Sequence, residues 1–159
     1  MSKQEILPTP EAVRELMREM ILKDVMARKS HLRTRMGEGL VAVYTTGKGR
    51  LVGACRCDFP LAASMGAALT LMPAGVAKEA VEAQDLAGEL RGNFGEVMNI
   101  VAQLFRPEFV KARVVLEGIY AEDQIPRMTK RRLKRPKKAL NVDVEIAGYP
   151  SGMMQFLAA

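Results

Sequence analysis

Residues 40–57 read LVAVYTTGKGRLVGACRC, and this stretch decides the fold. LVAVYTT (40–46) is apolar and β-branched, as a half-buried pleated surface requires. GKG (47–49) supplies a turn and RLVGACRC (50–57) a second strand, so the pair reads as a β-hairpin. The glycines of GKG lack the spacing of a phosphate-binding loop and lead into a strand, not a helix. Cys55 and Cys57 are i and i+2 on that strand and share a face. Structural zinc takes four ligands, and the only histidine to add to the pair is His31. His31 sits in a basic loop and reads as a surface residue. No Ser-His-Asp or Cys-His arrangement can be assembled with any specificity.

On the N-terminal side, residues 10–28 read as a helix. Val13, Leu16, Met17, Met20, Ile21 and Val25 recur at helical spacing, with Thr9 as N-cap and Pro10 at the first helical position. Residues 29–39 are a polar connection. On the C-terminal side, Asp58 caps a short helix rich in Ala, Leu and Met (61–72) that Pro73 stops. A long helix is predicted over 76–106, ended by Pro107, because Leu90, Phe94, Val97, Val101 and Leu104 step by four and three. Residues 112–120 and 140–148 are strands, the second alternating Leu140, Val142, Val144 and Ile146 on one face. Residues 152–158 suit a last strand or a terminal helix. The order α, ββ, α, α, β, β describes one α+β domain over 1–159, with helices on one side of an antiparallel sheet.

The chain has 159 residues, 48% hydrophobic and 26% charged, which suits one globular domain and excludes wholesale disorder. No apolar run reaches the roughly 20 residues of a membrane span. The start MSKQEILPTPEAV has no apolar core of a secretory signal, so a cytoplasmic protein is expected, without membrane insertion. Net charge is +6, yet RMTKRRLKRPKK (127–138) alone carries +8, which leaves the rest at −2. This run lies between two strands and reads as a loop or hairpin extension.

The long helix also carries a polar stripe. With Leu90, Val97 and Val101 facing the core, Asn99 points about 180° away. Glu96, Gln103 and Glu89 lie about 100–140° round on one side, Gly92 beside them and Gly95 on the other flank. Glu96 and Asn99 are three apart and neighbours on one turn. Each glycine costs a helix up to about 1 kcal/mol relative to alanine, which is tolerable where a partner must approach the backbone. A solvated helix face also carries acids and amides, and E-x-x-N is a common spacing.

The string GEVMNIVAQLF (95–105) resembles the G-E-x-x-N motif of the CheC/CheX/FliY family of chemotaxis phosphatases. The hairpin, the helix after it, the motif helix and the two closing strands are similar to the CheX order over roughly 38–158. The resemblance implies an α+β, CheX-like fold and a phosphatase for the aspartyl phosphate of a CheY-like response regulator. Asn99 would position the attacking water and Glu96 would pair with the partner's active-site lysine. Glu89, Gly92, Gly95 and Gln103 would line the partner-binding face. The chain would need no cofactor of its own, since Mg²⁺ belongs to the receiver domain. An amide suits the task because it both donates to and accepts from a water, and an acyl phosphate needs mainly a placed water. Gly92 stands where the family often has Asp or Ser, Gln103 where it has a small residue, and the basic run is an addition. GELRGN (88–93) is a near copy of the motif, with Glu89 and Asn93 four apart rather than three.

Two other readings stand beside this one. The same helix face would serve a non-catalytic module that docks a regulator or motor protein. The basic run would suit a nucleic-acid-binding protein, although it has no aromatic residue for base stacking. It would equally steer an acidic receiver domain. An exposed edge strand would let two copies pair as a homodimer.

Overall fold

In a computed structural model, residues 6–30, 38–106 and 113–159 are described. His31 and Pro107 lie outside them. Thr9 accepts the Ala12 N–H at 3.1 Å and opens α1 (Pro10–Met20), which buries Val13, Leu16 and Met17. The helix stops well short of residue 28, and β1 (Val25–Lys29) follows. Val25 had extended the helical spacing of α1, but Val25 and Ala27 also alternate as a strand does. Pairing with the strand Lys138–Ile146, Val25 opposite Ile146, decides between the two periods.

The hairpin is β2 (Gly39–Thr46) and β3 (Leu51–Asp58), joined at Gly49, whose φ is +84°. Asp58 accepts the Leu61 N–H at 3.0 Å and caps α2 (Phe59–Leu69). Every residue from Leu61 to Ala68 is buried, as a helix apolar all round must be. The long helix expected over 76–106 is two helices, α3 (Ala74–Ala83) and α4 (Gly88–Val101). Gln84 turns left-handed at φ +49° and Gly88 at +59°, so the backbone breaks while the apolar pattern runs on. A 3-10 turn over Ala102–Leu104 then carries Gln103 off the helix proper.

The closing elements are β4 (Val114–Ala121), α5 (Arg127–Leu133), β5 (Lys138–Ile146) and β6 (Gly152–Ala158). The basic run is therefore neither a loop nor a hairpin extension: it forms α5, then a turn, and its last residue starts β5. Leu133 is 8% exposed against Val41, Val43, Ala54 and Leu157 and gives α5 its apolar anchor. Residues 152–158 take the strand alternative.

All strands are antiparallel, in the order β1-β5-β6-β3-β2-β4. One sheet face, with Leu40, Ala42, Tyr44, Cys55, Cys57, Val142, Val144 and Phe156, packs on α1 to α4 and forms the main core. Among the described residues the other face packs on α5, through Leu133, with Ile125 beside it. The architecture is α+β, as the sequence predicts, except that α5 lies on the second side of the sheet.

Candidate functional site

The motif helix α4 is held at three places. Tyr44, fully buried on β2, donates a 2.6 Å hydrogen bond to the Met98 carbonyl. Met98 is in the last turn of α4, where carbonyls lack helical partners. The amide of Asn93 donates to the Gly66 carbonyl at 2.9 Å and to Thr70 Oγ1 at 3.0 Å. This ties α4 to α2 where the helices come closest: a Cβ on Gly66 would lie 2.6 Å from the Leu90 carbonyl oxygen. On the third side Arg91 donates to the Ile119 carbonyl of β4 at 3.2 Å, and burial lowers its pKa. Gly95 faces the same strand, its Cβ position 3.8 Å from Ile119 Cδ1.

What remains is the outer face. Glu89, Gly92, Glu96 and Asn99 are exposed along α4, and Gln103 is exposed just beyond it. Gly95 is half-buried against β4, so its backbone is open on one side only. A Cβ on Gly92 would meet nothing within 4 Å, so no packing within the described residues requires glycine there. Among the described residues no hydrogen bond or ion pair engages the side chains of Glu96 or Asn99. Gln103 is set apart from these two, at a hollow of about 340 Å³ shared with Thr9 and Arg106.

Among the described residues the two motif side chains stand together as a polar ridge on the exposed face of α4. Such a ridge can enter a cleft in another protein. The ridge is stiffly mounted, because the apolar side of α4 (Leu90, Phe94, Val97, Met98, Val101) is buried. Among the described residues no group of three His, Cys, Asp or Glu side chains is placed to hold a metal ion.

Sequence reasoning did not find Tyr44, Asn93 or Arg91. In the sequence Asn93 belongs to a near copy of the motif; in the structure it is 8% exposed and serves helix packing. Its only signal was its place beside Phe94 on the buried half of the helical wheel. Tyr44 was one apolar strand residue among several, and the position of its hydroxyl depends on α4, which is 54 residues away.

By sequence the chain matches no family model and no curated protein. By structure it is similar to a chain of the FliM–SpeE complex from H. pylori (TM-score 0.58, 11% identity), over 94% of this chain and 78% of that one. It is similar to the FliM middle domain from H. pylori (TM-score 0.57, 10% identity), over 94% of this chain and 84% of that one. A looser likeness is to a chain of the CheX–CheY–BeF3–Mg²⁺ complex from Borrelia burgdorferi (TM-score 0.46, 13% identity, 92% of each chain). The fold is that of the FliM middle domain.

Proposed function

We propose that the chain is a phosphatase for the aspartyl phosphate of a CheY-like receiver domain. The observation that carries this reading is the exposure of Glu96 and Asn99 on adjacent positions of one stiffly held ridge, in the G-E-x-x-N string that resembles the phosphatase motif. The ridge would enter the receiver's active site. Glu96 would pair there with the partner's lysine and set the docking angle. Asn99 would accept a hydrogen bond from a water and hold it in line with phosphorus, while its amide donates to the same water or to the phosphoryl group. The receiver would bring the phosphoryl group and its own Mg²⁺, which spreads the charge on the phosphoryl oxygens. Glu89, Gly92 and Gly95 would border the contact, with Gln103 at its far end. Gly92 has no Cβ, so the partner could approach the helix backbone.

A second reading is favoured by the structural neighbours with the higher TM-scores. FliM occurs in complexes with SpeE and with FliG. By analogy of fold alone, the chain would be a docking module that binds a regulator or motor protein without chemistry.

Acyl-phosphate decay separates the two. A panel of receiver domains from the same organism is loaded with a small phosphodonor, and phosphate release is timed with wild type and with Asn99→Ala. The phosphatase reading expects faster decay with wild type only, and retained binding by the variant. Binding without acceleration on any receiver would leave the docking module.

A further inference from the structure

We propose that the basic face formed by α5 and the turn after it binds the sugar-phosphate backbone of a nucleic-acid duplex, independently of the α4 ridge. All eight cations of residues 127–138 are exposed. From 124 to 142 the chain holds no acid. The one ion pair among the described residues is Arg56 with Glu122, so none of the eight is paired there. Arg131, Arg132, Lys134, Arg135 and Lys137 surround one shallow depression of about 670 Å³, with Met128 at its edge.

These charges do not hang on a loose loop. Leu133 anchors α5 to the sheet, and the Lys137 N–H donates to the Ala158 carbonyl at 2.9 Å. Five like charges held round one hollow repel each other, and a phosphate-rich partner relieves that repulsion. The three guanidiniums can each fork onto a phosphate. The composition of the face favours a duplex over a bilayer: Met128 is the one exposed large apolar side chain on α5 available to insert into lipid. With no aromatic residue in the run, contact is with backbone rather than stacked bases. The face lies across the sheet from α4, so one partner does not compete with the other.

The test is fluorescence anisotropy of a short labelled DNA duplex, titrated with the protein at about 50 to 200 mM salt. About four or five neutralised phosphates give a log–log salt slope near −4, so affinity should fall on the order of 10²-fold across that range. Arg131→Ala/Arg132→Ala/Arg135→Ala should cut the slope to less than half, while Asn99→Ala should bind as wild type. A flat salt dependence in wild type, or a triple variant of unchanged affinity, would overturn the proposal. So would binding to phosphatidylserine–phosphatidylcholine vesicles with none to duplex, which would assign the face to lipid.

Discussion

The phenolic hydroxyl of Tyr44 lies 2.6 Å from the carbonyl oxygen of Met98, the residue immediately before Asn99. A strand on the core face of the sheet thus fixes the helical turn that presents the candidate catalytic amide. Burial raises the Tyr44 pKa well above its ordinary 10.0, so the phenol stays protonated and remains a donor. Tyr44→Phe keeps the ring and leaves the Met98 carbonyl without that partner. The expected cost is about 1–3 kcal/mol in urea unfolding. Amide exchange should also quicken around Met98 and Asn99. A neutral substitution would mean that the bond does not restrain the turn.

Two glycines of neighbouring helices should respond in opposite directions. Alanine gains up to about 1 kcal/mol over glycine in a helix interior. At Gly66 the new Cβ would press on the Leu90 carbonyl oxygen at 2.6 Å, a helix backbone atom that cannot swing aside. Overpacking of this kind costs about 1–3 kcal/mol, so Gly66→Ala should lower the melting temperature. Gly92→Ala meets nothing within 4 Å and should raise it. If the ridge docks a receiver, Gly92→Ala should also weaken that complex. A more stable Gly92→Ala that binds unchanged would remove Gly92 from the contact.

Asp58 predicts a pH effect. Burial raises its pKa from the ordinary 3.8, against the lowering by hydrogen bonds from the Leu61 and Met153 N–H groups, each at 3.0 Å. The folded state therefore holds this proton more tightly than the unfolded chain. Stability from this group is greatest once it is protonated and falls as pH rises through the window between 3.8 and the raised value. Melting temperatures of wild type and Asp58→Asn should diverge in wild type's favour as pH drops through that window. The opposite trend would show that the two N–H bonds outweigh burial.

Both cysteines are fully buried on the core face, and burial pushes the Cys57 thiol well above its ordinary 9.0. Neither should react with Ellman's reagent in the native protein, and both should react after denaturation. Rapid native titration of either thiol would show that the hairpin opens.

Local chemistry in the sequence determined much of this protein. Thr9 and Asp58 could be read as caps because an N-cap acts on N–H groups within three residues. The hairpin could be read from its β-branched runs and its glycine turn. The exposed stripe of Glu89, Gly92, Glu96 and Asn99 followed from helical geometry alone, since a helix with one apolar face has only one direction left for polar groups. Tertiary structure decided what had two local solutions. Val25 satisfies both helical and strand spacing, and only the edge of β5 makes the strand the better choice. Gln84 and Gly88 break a helix whose apolar pattern continues, because that pattern records burial and not backbone continuity. The helical wheel puts Asn93 on the buried half of α4, but its acceptors, the Gly66 carbonyl on α2 and the hydroxyl of the capping residue Thr70, come from another helix. The basic run has enough charge for a solvated loop, yet one leucine, Leu133, finds an apolar patch on the far face of the sheet. That patch is assembled from β2, β3 and β6, so no local stretch of sequence could show it.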